Sequence, residues 1–301
     1  MERIPKSTLR KQLHQRLTQG PIIVSPGIYD AFGARLVEMA GFEAAYMTGN
    51  GVSACLLGRA DVGLIDLTMM VAHARRTAMA VDIPLICDAD TGYGNAVNVR
   101  RTVEEFEAAG VAAIHLEDQV MPKRCGHLPG ARAVVPLREH AGKIEAACAA
   151  RTDPNFIIIA RTDAASGFGL KEAIKRGQAY RKAGADVIFV ELKSSPTIHE
   201  DLKRVVEEID APCLVNVEEY GKLGELTVKE LEKLGFRIAI FPGVARYAAG
   251  FAIRETLAIL KQEGSTKQAR MRMLTAGEYH KVLKLQELEE WEERYQPTTE
   301  D

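Results

Sequence analysis

Eight short runs of apolar, β-branched-rich sequence, each followed by a longer stretch of helical periodicity, constrain this chain more than any other feature. They lie at 21–25, 43–48, 84–89, 111–117, 155–161, 186–191, 212–217 and 236–241. Near-continuous hydrophobicity, rather than clean alternation, marks strands covered on both faces, as parallel strands are. Amphipathic helix patterns fill the intervals, for example 97–109 and 170–183. Gly110, Gly184 and Gly235 stop such patterns just ahead of the next run. Eight strand–helix units predict an α/β fold of the (β/α)8, TIM-type barrel class, built as one domain over 1–301. A doubly wound open sheet has the same periodicity and stands as the alternative. From about 266 to 296 the chain reads as a helical extension, clearest over 277–295. Its apolar positions need something to pack on, and a second subunit is the expected partner.

Composition narrows the function. The net charge is −2 and no long basic run occurs, so the electrostatic footprint of a nucleic-acid-binding protein is missing. No apolar run approaches the roughly 18 residues that span a bilayer, and the first residues are polar rather than signal-like. The five cysteines are odd in number and form no C-x-x-C pair. They are expected as reduced thiols of a cytoplasmic protein.

Side chains at the C-terminal ends of barrel strands converge on one face, where barrel enzymes work. Those ends carry Tyr46, Thr48 and Gly49; Asp88 and Asp90; Glu117; Arg161 and Asp163; Glu191; and Asn216 with Glu218. A purely structural barrel has no need of so many polar ends. Asp88 and Asp90, two residues apart, can project to the same side of an extended segment. Oxygen donors in low number suit Mg²⁺ or Mn²⁺, which retain waters and take further oxygens from a substrate. The alternative is that Asp90 caps the following helix or turn, Thr91-Gly92-Tyr93-Gly94. Glu117 is placed to hold a metal-bound water. Arg161 suits a bidentate grip on a carboxylate, or an ion pair with Glu191 or Asp163. Gly49, Asn50 and Gly51 could let backbone N–H groups approach an anion, or form a plain turn. No nucleotide fingerprint is present. His115, inside an apolar strand, reads as a core residue.

Pro122-Lys123-Arg124-Cys125-Gly126-His127 is the segment with the clearest chemistry. It sets one thiol among two cations and an imidazole, the neighbours that tune a thiol for acid or nucleophile work. Lys123, Cys125 and His127 are therefore candidate catalytic residues.

Together these motifs resemble those of the isocitrate lyase/phosphoenolpyruvate mutase superfamily, and within it the methylisocitrate lyase group. The residues that carry the resemblance are Asp88-Ala89-Asp90-Thr91-Gly92-Tyr93-Gly94, Glu117-Asp118-Gln119 and Lys123-Arg124-Cys125-Gly126-His127. It extends from Ser25-Pro26-Gly27 to the helices after Arg246. The resemblance implies a closed barrel, Mg²⁺ held by Asp88 and Asp90 with Glu117 through water, and a dimer-of-dimers homotetramer exchanging its last helix. It places Thr48, Gly49 and Asn50 at a 2-oxo acid carboxylate, and Gly126, Arg161, Glu191, Asn216 and Arg246 in a substrate pocket. Asp61 becomes an active-site carboxylate.

The implied reaction is retro-aldol cleavage of a 2-hydroxy di- or tricarboxylate to pyruvate or glyoxylate plus a second carboxylic acid. Cys125 is then the proton donor to the new carbanion, and Tyr46 a candidate base. The chain departs from the methylisocitrate lyase pattern at Thr48-Gly49-Asn50, Arg59-Ala60-Asp61, Asn216-Val217-Glu218 and near Thr275. An added acid and a missing base in the distal pocket favour a smaller diacid such as 2,3-dimethylmalate. A carboxyphosphonoenolpyruvate-type phosphonomutase and an oxaloacetate decarboxylase or hydrolase are the competing activities on this scaffold.

Overall fold

The computed structural model describes residues 3–126 and 128–296. Residues 4–245 form one compact unit, and Arg3 with the chain from Arg246 onward forms another. The first unit is a barrel of eight parallel strands. They are β1 Ile23–Ile28, β2 Ala45–Met47, β3 Leu85–Asp88, β4 Ala113–Glu117, β5 Ile157–Thr162, β6 Val187–Val190, β7 Cys213–Asn216 and β8 Ile238–Phe241. Each pairs with the next, and β8 pairs with β1 through partners such as Ser25 and Ile240, which closes the sheet. Closure rules out the open doubly wound alternative.

Two apolar layers explain the unbroken hydrophobic runs. Along β5, Ile157 and Ile159 join the barrel interior with Ile86, Val187, Phe189, Leu214 and Ile240. The intervening Ile158 and Ala160 pack outward with helix residues such as Ile144 and Ile174. Both sets are dry, and each large aliphatic side chain so buried contributes about 1.5–3 kcal/mol. Leu13 and Leu17, from and just past the helix Lys6–Arg16, belong to the interior cluster and close the end where the strands begin.

The helices follow the sequence pattern closely. Ala96–Ala108 starts on an Asn95–Asn98 capping box. Leu170–Lys182 covers the second predicted helix. Gly110, Gly184 and Gly235 take φ of 86°, 106° and 103°, values that cost glycine little and other residues more. In the second unit, 277–295 is not one helix. It divides into Ala276–Val282 and Leu285–Tyr295. Lys284 between them is left-handed at φ 53°, which breaks the helical hydrogen-bond ladder. Among the described residues no helix is long and apolar enough to cross a membrane.

His140, on the helix Leu137–Ala150, is fully buried and packs edge-on against Tyr180 with ring centroids 4.7 Å apart. Burial, with Lys143 and Arg176 nearby, lowers its pKa from 6.5 to about 3. The unfolded chain then binds one more proton than the fold between those two values. Stability is expected to fall as pH drops through that window, by up to about 1.4 kcal/mol per pH unit from this residue. Urea unfolding from pH 7 to pH 5 should show a shallower pH slope in His140→Phe than in the parent. Equal slopes would remove His140 from the acid response.

Candidate active site

Because side chains alternate along a strand, every residue two steps beyond an interior residue also faces inward. Interior Ala113, Ile86, Ile157, Phe189 and Leu214 therefore set the directions of His115 and Glu117, Asp88, Arg161, Glu191 and Asn216. All of these side chains except His115, which is buried beneath them, line one small cavity of about 30 Å³ at the C-terminal end of the barrel. Tyr46, Thr48, Asn50, Asp61, Lys123, Cys125, Gly126 and Pro242 complete its wall. The volume holds a water, so a diacid needs some of the wall to move.

One half of the site is acidic and wraps a single ammonium. Lys123 Nζ lies 2.6 Å from Asp90 Oδ1 and 2.7 Å from Asp61 Oδ2. Burial opposes its charge, but Asp90, Asp88, Glu117 and Asp61 together hold its pKa well above the usual lysine value. Asp88 Oδ1 accepts from the Asp90 N–H at 2.9 Å and Oδ2 from the Gly49 N–H at 3.2 Å. Burial also opposes ionisation of Asp88, yet His115, Lys123, Arg161 and the Asp90 N–H bring its pKa to about 2. Asp90 is pushed the other way, to about 7, by burial and by the charges of Asp88 and Asp61, against the pull of Lys123.

Asp90 and Tyr93 both have positive φ, 47° and 59°. Left-handed backbone is rare for a tyrosine and costs about 1–3 kcal/mol. Asp90 does not act as a side-chain helix cap: the helix Ala96–Ala108 is capped by Asn95.

Could this half hold a cation of its own? Glu117 is buried, with Oε1 lacking any hydrogen-bond partner, and burial raises its pKa well above the usual glutamate value. Among the described residues no three acids, histidines or cysteines form a ready-made ligand cluster. A few hard oxygens, one of them orphaned, fit an ion such as Mg²⁺ that takes its remaining ligands from water and substrate. They do not fit zinc.

The other half is built around Arg161. Its Nε and Nη2 bond Asp163 as a fork, both at 2.9 Å. Glu117 and Glu191 lie 3.4 Å from the same guanidinium, and Phe189 supports it from below at 4.8 Å. The ion-pair alternatives for Arg161 are thus both present. Asn216 Nδ2 donates to both oxygens of Glu191 at 3.2 Å. A further layer fixes Asp163: fully buried Asp118 accepts from the Asp163 N–H, Thr162 Oγ1, Tyr180 Oη and Arg176.

Cys125 lies between the halves. Of the cations that the local sequence sets around it, two can be placed. Lys123 turns to the carboxylates, Arg124 is exposed, and His127 lies outside the described residues. Among the described residues, Asn50 reaches the thiol, with its Nδ2 3.1 Å from Sγ. Asn50 sits in the first turn of the helix Gly49–Leu57, capped by Thr48, so the predicted turn is a helix N-terminus. The Cys125 N–H donates to the Asp61 carbonyl at 3.1 Å. Asp61 thereby holds this loop by its backbone and, through Lys123, by its carboxylate.

Gly126 packs so closely that a Cβ there would meet Glu191 Oε1 at 2.9 Å and Arg161 Nη2 at 3.3 Å. Gly126→Ala is expected to lower kcat/KM about tenfold or more by displacing the loop, with Tm nearly unchanged. Wild-type turnover would show that the close contact is dispensable.

His115 is a core residue, as its place in an apolar strand predicts, and it also touches two side chains of the site. It is buried, but Tyr46 Oη is 2.8 Å from its Nε2 and Asp88 Oδ1 is 3.6 Å from Nδ1. Burial lowers its pKa to about 4, so it is neutral near pH 7. Burial and Asp88 keep the Tyr46 phenol far above its usual pKa. With the phenol as donor, Nε2 accepts and the ring carries its hydrogen on Nδ1, toward Asp88. The shared inward direction of His115 and Glu117 was the available signal. Arg246 belongs to the second unit, where it stacks on Tyr247 at 4.7 Å.

This chain matches the phosphoenolpyruvate phosphomutase family over residues 9–260. It is 45% identical to the 2,3-dimethylmalate lyase of Eubacterium barkeri, covering 94% of this chain and 97% of that one. It is 39% identical to the 2-methylisocitrate lyase of Aeropyrum pernix, over 93% and 87% of the two chains. Among solved structures, oxaloacetate acetylhydrolase in complex with 3,3-difluorooxalacetate superposes with a TM-score of 0.90. It is 37% identical, with 98% and 99% of the two chains covered.

Proposed function

Because this chain belongs to the phosphoenolpyruvate mutase/isocitrate lyase superfamily, we propose that it is a carbon–carbon lyase. Its substrate would be a 2-hydroxy dicarboxylate of the 2,3-dimethylmalate type, cleaved to pyruvate and a second carboxylic acid. The observation that carries this is a buried thiol, Cys125, in one cavity with the carboxylates of Asp88 and Glu117 and the guanidinium of Arg161. Hydrolysis of a 2-oxo acid has no evident need for such a thiol.

Asp88 and Asp90, with Glu117 through water, would hold Mg²⁺, and Mn²⁺ suits the same oxygens. Bound there, the ion supplies Lewis-acid polarisation of the substrate's oxygens. Thr48, Gly49 and Asn50 receive the carboxylate of the 2-oxo acid half at their helix N-terminus. The Tyr46–His115 pair takes the proton of the substrate hydroxyl, Tyr46 passing its own proton to the accepting Nε2. As the oxygen becomes a carbonyl, the C–C bond breaks and its electron pair passes to the carbon beside the other carboxylate. Arg161 balances that charge, and Glu191 and Asn216 hold Arg161 in place. Cys125 gives its proton to that carbon. The Asn50 amide, donating to Sγ, stabilises the thiolate left behind. Lys123 and Asp61 orient the loop, and His127 and Arg246 are further candidates at the distal carboxylate.

A smaller diacid is favoured over a tricarboxylate because Arg161 already faces three acids, Asp163, Glu117 and Glu191. The site therefore has little spare positive charge for a third carboxylate. We further propose one barrel domain with its helical extension, in a cytoplasmic homotetramer that exchanges the last helix.

The direct test is a panel of 2-hydroxy di- and tricarboxylates assayed for pyruvate and glyoxylate, with oxaloacetate assayed for oxalate and acetate alongside. Pyruvate from a dimethylmalate-like diacid is expected. Oxalate and acetate from oxaloacetate, with no cleavage of any hydroxy acid, would replace lyase by hydrolase. Activity should vanish on exhaustive chelation and return with Mg²⁺ or Mn²⁺. Full turnover after chelation would remove the metal.

A further inference from the structure

Arg132 takes no part in the chemistry above, yet it is nearly as buried as the residues that do, at 4% exposed. Its guanidinium spends its hydrogen bonds on main-chain carbonyls of the loop that carries Cys125. Nη2 donates to the carbonyls of Cys125 at 2.6 Å, Gly126 at 3.1 Å and Leu128. Nη1 donates to the carbonyl of Gly130 at 2.8 Å.

Four carbonyl oxygens turned toward one point repel one another unless a cation fills the space between them. A planar guanidinium with several fixed donors can do so; an ammonium offers fewer donors from a single centre. Arg132 is also tied to the barrel. Its N–H donates to Ser166 Oγ at 3.0 Å, and that hydroxyl donates to the Asp163 carbonyl at 3.0 Å. Asp163 is the residue that grips Arg161. One residue, through its guanidinium on one side and its main-chain N–H on the other, thus connects the backbone of Cys125 and Gly126 to the strand end that presents the carboxylate-binding arginine.

We propose that Arg132 is a positioning residue that fixes the Cys125 loop over the site, acting through backbone carbonyls and never touching substrate. This rests on the assignment of Cys125 as proton donor for its catalytic meaning, though not for its structural one. Removal of the guanidinium frees the carbonyls to separate and lets Cys125 swing outward. A displacement of about 1 Å in a reacting group can cost around 10²-fold in rate. The loss should fall mainly on kcat, since Thr48, Gly49, Asn50 and Arg161, the groups that grip the substrate's carboxylates and charge, stand on other elements.

The test follows the position of Cys125 directly. Full-length protein, substrate-free, is treated with iodoacetamide, and labelling at each cysteine is followed by peptide mass spectrometry. Cys55 is exposed and Cys125 buried, so Cys55 serves as the internal reference. In Arg132→Ala, Cys125 should label at least about tenfold faster relative to Cys55, while kcat falls about 10–10²-fold with KM within about threefold. Arg132→Lys should fall between Arg132→Ala and wild type on both readouts. Ser166→Ala, which loosens the same tether without touching the core, should move both in the same direction by less. If Arg132→Ala and Ser166→Ala both fold, judged by Tm, and both label Cys125 at the wild-type rate, the proposal is wrong. If labelling accelerates while Cys125→Ser itself retains full turnover, Arg132 still anchors the loop, and it is the proton-donor assignment that falls.

Discussion

Arg161→Ala is expected to give the largest combined loss of any single substitution. Asp163, Glu117 and Glu191 all lie within 3.4 Å of this guanidinium, and all four residues are at most 9% exposed. Removing the cation leaves three buried acids facing one another. Breaking a buried ion pair from one side typically costs about 3–5 kcal/mol, because the remaining charge stays buried without its partner. For a domain of this size that corresponds to a Tm lower by roughly 6–20 °C. The loss of the group that balances the developing carbanion should remove about 10²–10³ in kcat on top of weakened binding. Arg161→Lys should restore much of the stability and little of the rate, since one ammonium cannot reproduce the fork on Asp163. Thermal unfolding and steady-state kinetics separate the two effects. A Tm within 2 °C of the parent in Arg161→Ala would show that the acids find other compensation.

Cys125→Ser is expected to act in the opposite way, with a large kinetic effect and almost no structural one. The side chain is small, and serine keeps the shape and can accept the Asn50 amide bond at its oxygen. An alcohol is a far weaker acid than a thiol, and the oxyanion it would leave is much less accessible near pH 7. Cleavage should fall about 10²–10⁴-fold, the usual span for a general acid. Substrate affinity, measured by titration calorimetry, should stay within several-fold. Unchanged turnover would rule out proton donation by Cys125. A lost affinity with normal kcat would make it a binding residue.

The barrel was legible because its signal is local and repeated. A strand such as β5, Ile157–Thr162, must be apolar on both faces, and that requirement writes an unbroken run into the chain wherever a strand occurs. The polar strand ends were legible for the same reason, since the fold brings every such end to one rim. Partnerships between distant segments left no such mark. Lys123 reads locally as a cation beside Cys125, but its charge belongs to Asp61, sixty-two residues earlier. Electrostatic demand from buried acids, not sequence proximity, sets its direction. Arg132 looks like an ordinary loop arginine because its ligands are backbone carbonyls, which every sequence has. His115 could have been placed by counting in twos from Glu117. The break at Lys284 follows no proline or glycine, and the amphipathic pattern runs straight across it.

The most direct measurement follows 2,3-dimethylmalate with Mg²⁺ in deuterium oxide by proton NMR, using the parent protein and Cys125→Ser side by side. A thiol exchanges its proton with solvent, so a Cys125 donor delivers deuterium to one face of the new carbanion. Pyruvate and propionate should appear in equal amounts, with one deuterium on the carbon beside the propionate carboxylate in a single configuration. The serine variant should form both products far more slowly. Failure of the parent to release pyruvate from this or any other 2-hydroxy diacid, while it splits oxaloacetate to oxalate and acetate, would contradict a carbon–carbon lyase built around Cys125.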